Sequence, residues 1–374
     1  MKVLFVINQL ESGGAEQQLI ALCEGLCRRG HETEVISIYP RLDLRDRLDV
    51  IGVSITVVHK YWKADLTLVW RLRRLIKQID PELVHAYLPA ACLFTALTKW
   101  LGVGAPLIQA ERLVNSWRSG WRIWLDNVAR KRVDLITCNA EAIRTYLIEV
   151  ERVSPEKTAL IYNGLVPARR THPEERSIEA ARRGIGAPKS ACIVICVANF
   201  LADKRHQILL EAFARARKEV PELFLVLVGQ GPLEQEVRRG IRQRGLNTAS
   251  RIITDCLDPL PLLCASDVAI LTSSLEGCSN ALMEAMAMGL PIVASEAGGN
   301  GELVVDGEGG FVCRAGEVSA FAKALVDLAK DPLLRRRMGL YNLHRSKRFT
   351  DDVMVEETLR VYERVLKSGA RGYR

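Results

Sequence analysis

Short apolar runs and amphipathic stretches alternate along this chain, and the alternation is played twice. Five consecutive apolar side chains, Val3 to Ile7, predict a buried strand over 2–8, followed by a Gly13-Gly14 loop and a helix over 15–29. A second strand is predicted over 34–39, and apolar runs at 83–86, 107–110, 135–138 and 158–161 continue the series with helical stretches between them. The rhythm restarts with a strand at 191–198, a helix at 206–218 and a strand at 223–228. A helix after Gly231-Pro232, strands at 252–254, 268–271 and 291–294, and several helices to the end complete the second half. Strands separated by helices predict parallel, doubly wound sheets, because a parallel pair needs a crossover. Asn163-Gly164 marks a turn, and the polar, charged stretch that follows reads as a connection. The predicted organisation is therefore α/β: an N-terminal Rossmann-like domain over 1–166, a linker over 167–190, a second Rossmann-like domain over 191–348 and a C-terminal helical segment over 349–374.

Composition agrees with this reading. At 374 residues two domains are the default, and 48% hydrophobic residues suit parallel strands buried on both faces. No run of 18 apolar residues occurs, and the apolar start lacks a signal-peptide cleavage region, so a cytoplasmic protein is expected. The ten cysteines form no Cys-x-x-Cys pair and the six histidines are scattered, so reduced thiols without zinc or disulfides are expected.

Charge adds a second theme. The net charge of +8 is concentrated between His59 and Arg132, where thirteen Lys/Arg stand against five acids and all six tryptophans occur. Trp117, Trp121 and Trp124 follow helical spacing with Arg118 and Arg122 beside them, a pattern that suits a membrane–water interface or, equally, a core-facing stripe with snorkelling arginines. No nucleic-acid motif accompanies the basic residues, and nucleic acid is not an expected partner.

The segment from Ser273 to Pro291 carries the candidate chemistry. Gly277, Ser279 and Asn280 are turn and N-cap residues, which puts Glu276 in a loop and Glu284 on the helix that follows. The first amides of that helix, at Asn280, Ala281 and Leu282, carry the positive dipole end, an anion site between two carboxylates. An ordinary capped core helix with two solvated glutamates fits the spacing as well.

Six segments in fixed order complete a resemblance. They are Gly13-Gly14-Ala15-Glu16, Leu83-Val84-His85-Ala86-Tyr87, Ile161-Tyr162-Asn163-Gly164, Val197 to Phe200 with Asp203-Lys204, Val228-Gly229-Gln230-Gly231-Pro232, and Glu276 to Glu284. Over nearly its whole length the chain resembles the large retaining glycosyltransferase family of GT-B fold called group 1 or family 4. The resemblance implies two Rossmann-like domains facing each other across a cleft, the C-terminal helix returning to the first. It implies transfer of a sugar from a nucleotide-diphosphate donor, a UDP-sugar foremost, to a glycan or lipid-linked glycan in cell-surface polysaccharide or glycolipid synthesis, without a protein nucleophile. Glu284 would accept from the ribose hydroxyls, Glu276 would contact the donor sugar, and the Asn280 and Ala281 amides would hold the distal phosphate. Lys204 would neutralise the leaving diphosphate, and the Gly13-Gly14 loop would approach it from the first domain. No obligatory metal or cofactor is expected, since a helix end and a lysine meet the phosphate charge.

Two positions depart from the family pattern. An arginine often precedes the lysine by five or six residues, and here that place holds Asn199; Arg205, beside Lys204, is the substitute at hand. The first-domain histidine of many relatives is missing from Gln109-Ala110-Glu111-Arg112-Leu113, leaving Arg112, Glu111 and His85 as candidates beside the reacting sugar. A nucleotide-sugar epimerase or a non-catalytic nucleotide-sugar-binding protein of the same architecture shares these features. A dinucleotide oxidoreductase is disfavoured, because the first βα turn is not Gly-x-Gly-x-x-Gly. Peripheral contact with the inner face of an anionic membrane is the remaining expectation.

Overall fold

In the computed structural model, residues 1–11, 13–62, 65–113 and 120–371 are described, with backbone alone for 120–123, 125 and 369–371. Among them the chain forms two compact units, residues 1–164 with 351–374, and residues 165–350.

The first unit is built on seven parallel strands: β1 (Lys2–Ile7), β2 (Glu32–Ser37), β3 (Ser54–Val57), β4 (Leu83–Tyr87), β5 (Leu107–Glu111), β6 (Leu135–Cys138) and β7 (Thr158–Leu160). Their order is β3-β2-β1-β4-β5-β6-β7, so the winding reverses between β1 and β4. Val3 to Ile7 are wholly buried, as their unbroken apolar run requires for a central strand covered on both faces. Edge strand β3 has no such run. Ser54-Ile55-Thr56-Val57 alternates and is mostly exposed, too short and too polar a signal to stand out in the sequence.

The C-terminal helix Asp351–Arg371 belongs to this unit and packs on the helix Gly14–Arg28. Gly25 makes the approach possible, since a Cβ there would lie 2.4 Å from Val355 Cγ2. Arg28 Nη2 donates to Asp351 Oδ2 at 2.7 Å and Arg29 Nη2 to Asp352 Oδ1 at 3.0 Å, clamping the start of the helix.

The second unit has six parallel strands: β8 (Cys192–Val197), β9 (Leu223–Val228), β10 (Ser250–Ile253), β11 (Val268–Leu271), β12 (Ile292–Ser295) and β13 (Gly310–Cys313). Their order is β10-β9-β8-β11-β12-β13, with the reversal between β8 and β11. The edge strand β13 lies where helices alone were expected.

The expected linker over 167–190 is corrected. Residues Pro167–Arg169 form a single 3-10 turn, and Glu175–Ile185 is a helix of the second unit, closed by Gly186 at φ 71°. The helix packs on Leu260–Cys264, with Arg182 Nη1 donating to the Ala265 carbonyl at 3.1 Å. Of its eleven residues only Ile185 is fully buried. Its apolar positions, Ile178, Ala181 and Ile185, do follow helical spacing, but they are few and set among charged residues, so the stretch reads as polar.

Candidate active site

Open α/β sheets bind ligands beyond the carboxyl ends of their strands, where the winding reverses. In the second unit that place lies past β8 and β11, and most of the predicted donor-site residues collect there. Lys204 follows β8 on a 3-10 turn, Ala202–Lys204, and Glu276 sits in the loop after β11. The two meet: Lys204 Nζ donates to Glu276 Oε1 at 2.6 Å, and Ser273 Oγ donates to the same oxygen at 2.7 Å. Burial works against the lysine charge, but the carboxylates of Glu276 and Asp203 outweigh it and hold Lys204 above its ordinary value.

The loop that carries Glu276 is pinned by its neighbours. Gly299 N–H donates to the Gly277 carbonyl at 3.0 Å, and a Cβ on Gly298 would lie 1.9 Å from the Glu276 carbonyl oxygen. Gly298 also has φ 53°, a left-handed conformation that strains any residue with a side chain. This glycine after β12 therefore sets the Glu276 backbone, and Ala297-Gly298-Gly299 was the signal for it in the sequence.

The helix Asn280–Ala287 starts directly after the loop, with Glu276 before it and Glu284 on it, as the turn residues predict. Ser279 is its N-cap, and its side chain accepts from Leu282 N–H at 3.4 Å. That amide is engaged by the cap. Asn280 and Ala281 stand at the positive end of the helix, next to Lys204 and Glu276 through the loop.

Glu284 is buried, and its surroundings were not foreseen. Arg169 Nε lies 3.7 Å from Glu284 Oε1, while Arg169 Nη1 donates to Asp258 Oδ1 at 3.2 Å. Burial pushes the Glu284 carboxyl up to about 7, Arg169 pulls it down, and Asp258 pushes it further up. Arg169 lies on the 3-10 turn of the stretch that reads as a linker, where nothing in the local sequence marks it as a partner of Glu284. Arg205 is exposed, holds the left-handed conformation at φ 52°, and donates from Nε to Ser274 Oγ at 3.2 Å, bracing the Glu276 loop from outside.

The first unit brings together a different set at the carboxyl ends of its strands. The Gly13-Gly14 loop follows β1, and a Cβ on Gly13 would lie 2.2 Å from Glu16 Oε2, so the carboxylate is folded onto the loop. Glu16 is buried and its carboxyl is raised, chiefly by desolvation, with Arg112 acting the other way. Arg112, just past β5, donates from Nη1 to Asn163 Oδ1 at 2.5 Å and lies with its guanidinium 4.8 Å from the Tyr87 ring centroid. Its buried Nε has no hydrogen-bond partner.

The other two first-domain candidates are occupied. His85 is buried between Tyr362 (Nδ1 to OH, 2.8 Å) and Thr137 (Nε2 to Oγ1, 3.3 Å), and burial, with Arg112 next, keeps it well below its ordinary value. It ties β4 to the C-terminal helix as a neutral structural histidine. Glu111 accepts from Arg130 Nη2 at 2.7 Å. Trp117 and Arg118 lie outside the described residues, as do the side chains of Trp121 and Arg122. Among the described residues no cluster of His, Cys, Asp and Glu could hold a metal ion.

Known proteins share this plan. Residues 177–345 match the family model of "Glycosyl transferases group 1", and residues 12–169 that of "Glycosyltransferase Family 4". The chain is 24% identical over 380 residues, 96% of each chain, to the N-acetyl-alpha-D-glucosaminyl L-malate synthase of Bacillus anthracis. It is 27% identical over 309 residues to the GDP-mannose-dependent alpha-(1-6)-phosphatidylinositol monomannoside mannosyltransferase of Mycolicibacterium smegmatis, covering 74% of this chain and 75% of that one. Among solved structures, Anabaena Alr3699/HepE in complex with UDP superposes with a TM-score of 0.86 at 22% identity, over 97% of this chain and 100% of the other. With its two halves matched by the two models and its two parallel-sheet units matching solved glycosyltransferases, the chain belongs to the group 1 glycosyltransferases of GT-B fold.

Proposed function

We propose that this glycosyltransferase takes a nucleoside-diphosphate sugar, a UDP-sugar foremost, and transfers the sugar with retention to a glycan or lipid-linked glycan of the cell surface. The observation that carries the donor reading is the meeting of Lys204, Glu276 and Ser273 beside the capped helix Asn280–Ala287, at the winding reversal of the second sheet. The helix end and Lys204 supply the positive charge that a leaving diphosphate needs as its charge grows, and Glu284 supplies an acceptor for a ribose diol. Glu276 is held by a lysine and a serine, the posture of a carboxylate that orients sugar hydroxyls. A retaining glycosidase instead sets two carboxyls across one bond, and on the present reading Glu276 and Glu284 face different parts of the donor. Retention then rests on the leaving phosphate oxygen taking the acceptor proton on the same face.

HepE crystals hold UDP and, in another complex, UDP-glucose, which supports the donor class. Similarity to a lipopolysaccharide core biosynthesis glycosyltransferase of Rhizobium meliloti and to the phosphatidylinositol mannosyltransferase supports an acceptor carried on lipid. Such an acceptor brings the enzyme to the cytoplasmic face of a membrane, and no helix among the described residues is long and apolar enough to cross one. A thermal-shift panel of UDP-, GDP- and ADP-sugars tests the donor. One sugar class is expected to raise the unfolding temperature, through ligand bound to the native state alone, and Glu284→Ala is expected to abolish the rise. Transfer to acceptor with the anomeric configuration kept, read by NMR of the product, separates the transferase from an epimerase or a binding protein.

A further inference from the structure

The first unit carries a surface of exposed aromatic side chains. Tyr61, Trp62, Leu66 and Trp70 are 63, 58, 69 and 60% exposed, and Trp100 is 48% exposed. These side chains stand on an ordered support. Asp65, itself buried, accepts from the Tyr61 N–H at 3.2 Å, from Thr67 Oγ1 at 2.5 Å and from Arg71 Nη2 at 2.6 Å. The Arg71 guanidinium lies 4.9 Å from the Tyr61 ring. Arg73 lies 5.8 Å from the Trp70 ring and donates from Nε to the Leu101 carbonyl, joining the helix Thr67–Ile79 to the end of Pro89–Trp100. There Arg132 lies 5.0 Å from the Trp100 ring.

We propose that this face docks on an anionic lipid bilayer, with Trp62, Leu66 and Trp70 entering the headgroup–acyl boundary and Arg73, Arg74 and Arg132 against the headgroups. Asp65 is buried and paired with Arg71, and Asp134, near Arg132, is paired with Lys99, so the face offers a surplus of cations and aromatic rings, the combination that membrane interfaces take up. A second copy would bring two such basic faces together in a chain of net charge +8. The proposal deepens the lipid-linked acceptor reading and fails separately from it, because the probe vesicles carry no glycan.

The test is co-sedimentation of the full chain with phosphatidylglycerol–phosphatidylcholine vesicles and with phosphatidylcholine alone. Binding to the anionic vesicles is expected, weakened by salt, and roughly tenfold weaker in Trp62→Ser/Trp70→Ser/Arg74→Glu. The variant should bind UDP like the parent chain, which shows that it is folded. Absence of binding to anionic vesicles, an unweakened variant, or a dimer in solution that the same variant dissolves would each overturn the proposal.

A second, independent observation concerns Arg169, which spans Glu284 and Asp258. We infer that Arg169 is a positioning residue for the donor: it favours and aims the Glu284 carboxylate so that the buried acid can accept from a ribose diol. This rests on the reading of Glu284 given above. The groups that face this carboxylate are Arg169 and Asp258, with the Cys256 thiol within electrostatic reach. Calorimetry of UDP and GDP binding across pH 5.5–8.5 tests it, the diol being common to both. In Arg169→Met the pH at which binding is half lost should move up by about one unit, and Arg169→Lys should restore most of it. A Met variant whose profile superposes on the parent's overturns the role of Arg169. A Glu284→Ala variant that binds like the parent overturns the reading of Glu284 instead.

Discussion

The two units share one topology and differ in what their strand ends carry. Both sheets reverse their winding at the first strand, between β1 and β4 and between β8 and β11. In the second unit the reversal gathers Lys204, Glu276, Ser273 and a capped helix end, with Glu284 and Arg169 on the adjoining helix and turn. In the first it gathers a glycine loop, Glu16, Arg112 and a sealed histidine, and that unit alone shows the exposed Trp62, Trp70 and Trp100. One scaffold duplicated in architecture thus carries two different sets of side chains at its strand ends, because the loops vary while the sheet only positions them. On the reading proposed, the second unit grips the donor and the first supplies the acceptor side.

The largest test of that division is Lys204→Met. With the cation at the leaving group removed, kcat should fall about 10²–10³-fold, measured as transfer at saturating donor. Arg112→Met should also lower kcat while leaving UDP affinity within about twofold of the parent. If it weakens UDP as strongly as Glu284→Ala, the division between the units fails.

The pH behaviour of Glu284 sharpens the comparison, since no other described carboxylate is lifted so far. Its folded value of about 7 lies above the ordinary 4.5 of an unfolded carboxyl. The native state therefore holds the proton more tightly than the unfolded chain. The resulting stability is fully present below about pH 4.5 and is lost as pH rises toward 7, on the order of 3 kcal/mol. Glu284→Gln should abolish that decline in chemical-denaturation curves and make the chain more stable than the parent at pH 8. UDP binding should run the other way, strengthening in the parent as pH rises through 7 and flat in the glutamine variant.

Smaller effects concern the supports. Ser279→Ala removes the cap of the helix Asn280–Ala287 and should cost about 1 kcal/mol in thermal unfolding. Gly13→Ala should cost less than about 1 kcal/mol, because the Glu16 carboxylate can swing aside. It should nonetheless slow transfer measurably, since the loop then loses the carboxylate folded onto it.

Much of this was legible in residues. The apolar runs of β1, β8, β9 and β11 are buried on both faces, and such strands announce themselves by composition alone. Turn chemistry placed Glu276 in a loop and Glu284 on a helix without any coordinates. The elements that were missed, β3, β13 and the helix Glu175–Ile185, lie at sheet edges or bury little, so their apolar positions are few and set in short or highly polar stretches. His85, a candidate in sequence for which a structural role at a strand end was the commoner reading, is sealed beneath Tyr362, 277 positions away in the chain.

The sequence by itself determined the two parallel α/β halves, the loop-to-helix junction that bears the two glutamates, and the concentration of cations and tryptophans in the first half. Local spacing and hydrophobic period encode such features within a few turns of chain. Only the tertiary structure decided that Lys204 and Glu276 pair, that Arg169 reaches Glu284, that Gly298 fixes the Glu276 backbone, and that Trp62 and Trp70 face outward. Each of these depends on contacts between segments tens to more than a hundred residues apart, or on which side of a helix is covered, and neither quantity is written in any single stretch of sequence.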